Sequence, residues 1–360
     1  MPPRPLPQPD EGCPHVSLRL DQLCFMADAA KFVDIGTMHA YPAEGVDALV
    51  PVGEWPWSGE GDDRKRVRPS VALKQNERGQ WFDTQVYDPD EPQVIEDRMI
   101  VENADAYRPT LGARMLNTYQ KPDRFEGGDV GKAGMWWSLL QGLYGNNPDE
   151  VRHLLRWLAS AVRYPGRKIN HAVVLCGAQG IGKDSLLHPI EALIGHANIR
   201  SIGADRVFDT FDTYRAGVLL KVNEIRPTDS KTLTALYEKL KETIAAPPAM
   251  LSINGKHTPM RYIRNLVKVV LTTNHVDALH IPPDDRRLFV LDTDTRPDWH
   301  PKAWFEEYYQ WCQREGVAHV KAYLDTIDLE GFDPNAPPPK TRAWKACVEN
   351  RRAVGGDDAC

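Results

Sequence analysis

The sequence predicts an α/β protein whose largely parallel sheet is flanked by helices, preceded by a small mixed α+β domain. Three observations lead there. From residue 171 on, short β-rich apolar runs (HAVVLC, GVLLKV, LVKVVLTT, LFVLD) recur between helical or loop stretches. Strands without polar alternation belong to parallel sheets covered on both faces. The first of these runs breaks into the glycine-rich stretch GAQGIGKDS, and a helical segment ending near Gly195 follows it. Residues 16–129, by contrast, hold only brief apolar runs such as KFVDIG and QWFDTQVY, punctuated by Gly, Pro and Asp. That pattern suits short strands and one or two helices.

The 360 residues, 42% of them hydrophobic, are enough for about two or three domains. The formal net charge of −6 gives no global basic field, so any nucleic-acid contact must be a local patch, such as the lining of a narrow ring. Six cysteines occur without a CxxC pair, which predicts a reduced, cytoplasmic chain. Cys13, His15 and Cys24 lack a fourth partner at metal-ligand spacing and read as scattered groups. No apolar run is long enough to span a bilayer, so no membrane association is expected. The Pro-rich residues 1–15 lack an apolar signal core and read as a disordered tail. Trp55 and Trp57 could stack on bases, but packing or a loop anchor is the simpler role.

Residues 130–170 form a helical segment. MWWSLLQGLYG is one apolar helix. In the next, Asn147 is the N-cap, Pro148 takes the first helical position and acids fill the first turn. Val151, Leu154, Leu155, Leu158 and Val162 share one face, so Trp136, Trp137 and Trp157 are expected in the core. Residues 301–360 are expected to hold a C-terminal helix and a Pro-rich, then basic tail, a docking arm or the start of a further region.

Residues 171–300 carry the chemistry. In Gly177-Ala178-Gln179-Gly180-Ile181-Gly182-Lys183, glycines let backbone N–H groups curl around phosphates, the helix terminus adds positive charge, and Lys183 reaches the β/γ-phosphates. The strand–loop–helix context lifts this above a chance match. Asp184 stands where a serine or threonine normally holds magnesium. Either Asp184 itself faces the metal or the neighbouring Ser185 supplies a hydroxyl, since magnesium takes oxygen ligands. GVLLKVNE is an apolar strand ending in Asn223 and Glu224, 41 residues beyond Lys183. Glu224 can polarise water and face the metal; Asn223 is neutral. KVVLTTNH ends an apolar strand in Asn274, whose amide can orient water against a γ-phosphate. In PPDDRRLFVLD, Arg286 or Arg287 can stabilise phosphoryl charge across a subunit boundary, unless the run is a self-paired charged surface.

Between these elements, Asn254-Gly255 signals a hairpin with a type I′ turn. Lys256 and His257 follow near the tip, and Arg261 and Arg264 lie on the returning strand. Nucleotide hydrolysis does not need such a cationic hairpin; gripping a phosphate backbone does.

This order, a Walker A loop, a close Walker B strand, a Lys-His hairpin, an Asn-ending strand and then arginines within about 110 residues, resembles the superfamily 3 helicases. These include papillomavirus and polyomavirus replicative helicases and the phage and poxvirus-type primase-helicases. The C-terminal half of phage primase-helicases is most similar, through LLRWLASAVRYPGRKINHAVVLCGAQGIGKDS and FDPNAPPPKT. The resemblance is strong over about 130–345 and weak before that. It implies a P-loop NTPase, AAA+-like fold and an ATP- and Mg2+-dependent replicative DNA helicase. Such a helicase would be a hexameric homo-oligomer passing single-stranded or forked DNA through a ring pore, with a primase or polymerase of the same replication system as its partner. By it, Lys183 matches the Walker A lysine, Glu224 the Walker B acid and Asn274 the sensor. Lys256 and His257, with Arg261 behind them, match pore DNA contacts, and Arg286 or Arg287 the finger. Asp184 and Asn223 depart from the pattern, moving one carboxylate from Walker B to Walker A. No primase signature is visible, so the chain is expected to be the helicase part alone or a piece of a larger product. Two rivals remain: a nucleotide-binding DNA-binding scaffold with little turnover, and a P-loop ATPase that remodels protein.

Overall fold

The structure, a computed structural model, describes residues 17–75, 80–101, 105–225, 230–256, 258–274, 281–296 and 298–355. Its chain divides into two compact units, Met1–Gln85 with Gly112–Leu116, and Val86–Leu111 with Asn117–Cys360. The chain leaves the first unit at Gln85 and returns to it once, over Gly112–Leu116. The expected tail at 1–15 lies outside the described residues.

In the first unit, strands β1 (Leu23–Met26), β2 (Lys31–Asp34), β3 (Ala40–Tyr41) and β6 (Trp81–Phe82) form a sheet in the order β3-β2-β1-β6. β1 and β2 are antiparallel, and β6 joins parallel to β1. Helices α1 (Ala43–Leu49) and α2 (Pro69–Lys74) help to close a small core of Leu18, Leu20, Leu23, Phe32, Val46, Val50 and Leu73. Trp55 packs on that core and donates its indole N–H to the Val50 carbonyl at 3.1 Å. Strands β4 (Trp57–Ser58) and β5 (Lys65–Arg66) make a short hairpin in which Arg64 and Arg66 lie against the Trp57 ring. Trp55 is thus a packing anchor, whereas Trp57 is about half exposed. Three strands, β7 (Thr84–Val86), β8 (Val94–Met99) and β9 (Arg108–Asn117), lie along the segments linking the two units.

The second unit carries five parallel strands: β10 (Ala172–Cys176), β11 (Ile199–Gly203), β12 (Leu219–Ile225), β15 (Lys268–Thr273) and β16 (Leu288–Leu291), in the order β11-β12-β15-β10-β16. Four are the apolar runs read from the sequence. The edge strand β11 was missed because IRSIG is only half-buried and mixes polar with apolar residues.

Alternation along each strand divides the interior. Val173, Leu175, Val270 and Phe289 join helices α3 (Gly134–Tyr144), α4 (Pro148–Arg163), α5 (Lys183–Ile194) and α8 (Val317–Asp325) in one core. Val174, Cys176, Leu220, Val269 and Val290 join α6 (Ser230–Ile244) and α9 (Arg342–Gly355) in the other. Asn147 caps α4 as expected, its side chain accepting from the Asp149 N–H at 3.1 Å. Trp136 and Trp157 are fully buried, and Trp137 is half-buried beside Tyr323.

The segment after residue 330 is not a free arm. The Asn170 N–H donates to the Pro334 carbonyl at 2.7 Å, and the Thr341 hydroxyl to Val290 O at 2.5 Å. Trp344, Cys347 and Val348 of α9 are buried against the sheet. Its prolines prevent helix until Thr341, but its apolar residues pay for docking by leaving water.

Candidate nucleotide site

The loop between β10 and α5 lies at the carboxyl edge of the sheet, the edge where open α/β folds bind ligands. Gly177, Gly180 and Gly182 have φ of +141°, +80° and +103°, values that L-residues rarely adopt. A Cβ on Gly177 would lie 2.6 Å from Ile181 Cδ1 and Thr293 Cγ2. Three left-handed glycines are what a loop needs to curl its N–H groups inward.

Lys183, the first residue of α5, is only 8% exposed. Its ammonium donates to Gly177 O at 2.5 Å, Ala178 O at 3.0 Å and Asn274 Oδ1 at 2.9 Å. Burial lowers its pKa from the usual lysine value, with Asp184 opposing that shift. The amine therefore sits preorganised beneath the loop.

A cleft of about 520 Å³ opens in front of it. Gln179, Gly180, Gly182, Lys183, Asp184 and Ser185 line one wall, and Asn223, Glu224, Thr272 and Asn274 another, with Phe305 and Tyr309 closing it. The structure thus brings Lys183, Glu224 and Asn274, which are far apart in sequence, into one cavity. Thr272, Phe305 and Tyr309 were not singled out from the sequence. Thr272 shares Asn274's strand face by period two, and Phe305 and Tyr309 are four apart on helix α7 (Lys302–Trp311), so periodicity could have found them.

Glu224 has φ of +55°. The register of β12 against β15 slips there: Val222 pairs with Leu271, but Ile225 pairs with Thr273. Two residues, Asn223 and Glu224, thus oppose one, Thr272, a bulge of the kind that re-aims side chains at functional edges. Asn223 turns toward β11 and donates from Nδ2 to Ser201 Oγ at 2.7 Å.

The two candidate metal-facing residues differ. The Ser185 hydroxyl is buried and hydrogen-bonded with the Tyr309 hydroxyl at 2.8 Å, while Tyr308 donates to the Ser185 carbonyl at 2.9 Å. The Asp184 side chain is 73% exposed and its Oδ1 lies 3.0 Å from Lys221 Nζ. Asp184, Ser185, Glu224, Thr272 and Asn274 offer only oxygen acceptors to a metal, which suits magnesium.

Arg286 and Arg287 do not reach this cleft. They precede β16, at the amino end of a strand parallel to β10, whereas the loop follows the carboxyl end. Arg286 is exposed, and Arg287 is half-buried with its backbone N–H on Asp285 at 3.2 Å.

The cationic hairpin is present as β13 (Met250–Ile253) and β14 (Arg261–Arg264), paired Ile253 to Arg261. Its turn is not type I′. Neither Asn254 nor Gly255 has the positive φ that turn demands, and the strands end at Ile253 and Arg261, farther apart in sequence than a two-residue turn allows. The Asn254 N–H donates to Asp212 Oδ1 at 2.6 Å and its Nδ2 to Thr210 O at 3.1 Å. These bonds hold the backbone in another conformation. Lys256 is exposed on the loop, Arg261 is half-buried on β14, and His257 lies outside the described residues. Arg264 is spent internally, donating to Asp88 Oδ1 at 2.8 Å and Asp90 Oδ2 at 3.0 Å.

A family described as of unknown function (DUF5906) matches residues 175–287, the stretch from the loop to the arginines. No curated protein matches. Among solved structures, the apo C-terminal region (305–718) of NrS-1 is similar at TM-score 0.62 and 16% identity, over 91% of this chain and 71% of that one. An A-form apo structure of the NrS-1 C-terminal region gives 0.61 and 17%, over 92% and 72%. A ligand-bound JCV helicase overlaps at 0.34 and 11%, over 62% and 60%, too distant to add to this. The chain has the α/β fold of the NrS-1 C-terminal region, with its glycine loop, Lys183, Glu224 and Asn274 on one cleft of that fold.

Proposed function

We propose that this chain is an ATP-driven, helicase-type motor acting on single-stranded DNA as a homo-oligomeric ring, most simply a hexamer. The observation that carries the reading is the convergence of Lys183, Asp184, Glu224 and Asn274 on the cleft beneath a left-handed glycine loop. The loop N–H groups and Lys183 would bind the β- and γ-phosphates of ATP, with Lys183 exchanging its carbonyl and Asn274 partners for phosphate oxygens. Glu224 would polarise the attacking water and Asn274 orient it. Magnesium, when bound, offsets phosphate charge, and Asp184 and Glu224 are the carboxylates able to hold it. Arg286 or Arg287, distant from its own cleft, would act on a neighbour's ATP. Lys256, exposed on the β13–β14 loop, would face DNA in the ring, with Arg261 and His257 behind or beside it.

A second reading, nucleotide binding with little turnover, draws support from Asn223, which replaces an acid and bonds Ser201. The deciding experiment is ATP hydrolysis with and without single-stranded DNA. DNA-stimulated turnover in wild type, abolished by Lys183→Ala, is expected. Nucleotide binding without turnover, with or without DNA, would favour the second reading.

A further inference from the structure

Lys221 is a lysine in the middle of a sheet. It lies on β12 between β11 and β15, in a run otherwise apolar up to Val222, and its side chain is 11% exposed. Its ammonium spans two carboxylates of α5: Asp184 Oδ1 at 3.0 Å and Glu191 Oε1 at 2.8 Å. The two partners are unequal. Glu191 is 17% exposed and cannot leave the pair without stranding a charge in a half-dry place. Asp184 is 73% exposed and lines the cleft, so it can turn away at little cost.

The arrangement answers the substitutions at 184 and 223. A serine or threonine at 184 would have no charge to neutralise. An aspartate there adds one, and Lys221 occupies it. Nearby, Asn223 contributes no carboxylate and bonds Ser201. The carboxylate free to serve a divalent cation beside Glu224 is therefore one that a cation already holds.

We infer that Lys221 is a built-in competitor for magnesium at Asp184: the Asp184 carboxylate exchanges its Lys221 partner for the metal when Mg·nucleotide enters the cleft, while Lys221 stays on Glu191. The inference rests on the nucleotide-site reading above. Lys221 touches neither substrate nor metal in this scheme; it is a positioning residue that sets how much magnesium the site needs. An exchange of this kind couples metal binding to release of α5 from β12 at one point, leaving the Glu191 tie intact.

The test reads metal dependence rather than hydrolysis. A fluorescent ATP analogue is titrated onto the full chain at stepped magnesium concentrations, and the half-saturating magnesium concentration is recorded. Lys221→Met should lower it about fivefold, the scale of one partly screened ion pair. Because that variant leaves Glu191 unpaired and can fail to fold, Glu191→Gln is the companion. With its other partner neutral, Lys221 holds Asp184 harder, and the magnesium requirement should rise. Asp184→Asn should raise it roughly tenfold by removing a carboxylate ligand, and in that background neither Lys221→Met nor Glu191→Gln should move it further.

A magnesium requirement unmoved by Lys221→Met and Glu191→Gln, with the analogue still bound, overturns the inference and leaves the nucleotide site standing. Unchanged magnesium dependence in Asp184→Asn also overturns it and points to Ser185. Failure of wild type to bind the analogue at any magnesium concentration overturns the nucleotide reading, and this inference with it.

Discussion

The Lys183 ammonium donates to the Asn274 side-chain oxygen across the cleft, 2.9 Å away. The first residue of α5, which follows β10 through the glycine loop, is thus tied to the end of β15, and β10 and β15 lie side by side. A γ-phosphate entering between them would take the lysine and leave the amide free to hold water.

Asn274→Ala is therefore expected to keep nucleotide binding while lowering turnover about 100-fold, the usual scale for losing one preorganised polar group at a reacting centre. Glu224→Gln should likewise lose turnover and keep nucleotide on the loop and Lys183, because it removes the polarising carboxylate and leaves Asp184 as the carboxylate for magnesium. Binding by fluorescence anisotropy beside steady-state hydrolysis separates the two steps. Wild-type turnover in either variant would remove that residue from the site.

Arg286 and Arg287 stand at the end of the sheet opposite their own glycine loop. If one serves a neighbour, arginine variants should be inactive alone. Mixed with Glu224→Gln subunits, which retain their arginines, they should regain part of the activity through hybrid interfaces. Full hydrolysis by a monomer, measured with light scattering on the same sample, would contradict this.

Lys256 is exposed on a wide loop whose base is fastened to Asp212 and Thr210. Lys256→Ala should lose single-stranded DNA affinity and unwinding while basal hydrolysis persists, since no cleft residue changes. The wild-type affinity should fall steeply with salt, because phosphate contacts release counterions. The net charge of −6 supplies no global attraction for DNA, so the contact must be local. Undiminished DNA binding by the variant would favour a protein-remodelling ATPase instead.

His153 and His171 face each other with their Nε2 atoms 3.0 Å apart, among Phe289 and Phe332. Burial pushes their pKa values down to about 4 and about 3, aided by Arg156 near His153 and by His153 near His171. Unfolding frees both to take protons at ordinary histidine pKa, so the unfolded state binds more protons between about pH 4 and 6.5. Stability is then fully present above about pH 6.5 and declines as pH falls, by roughly 1.4 kcal/mol per pH unit for each proton taken up. Thermal unfolding across that range should show the loss, and His153→Gln/His171→Gln should flatten it. Equal slopes in both proteins would exclude the pair as its source.

What could be read from the sequence was what short-range chemistry controls. The strand–glycine loop–helix of 172–194, the Asn147 cap, and the buried Trp136 and Trp157 depend on periodicity and local backbone preference, and those act within a few residues. The Asn-Gly turn failed on the same ground. Its local preference is real, but Asn254 bonds to Asp212 and Thr210, more than 40 residues away, and those bonds decide its backbone. Arg264 looked like a free cation until Asp88, 176 residues earlier, came to meet it. Lys221 gave no signal beyond a charge in an apolar strand; only folding of α5 over β12 brings Asp184 and Glu191 to it. Which residue types stand at the cleft was written in the order of the chain. Which of them are already paired was decided in three dimensions, because a charge takes the nearest partner in space, and the sheet sets who is near.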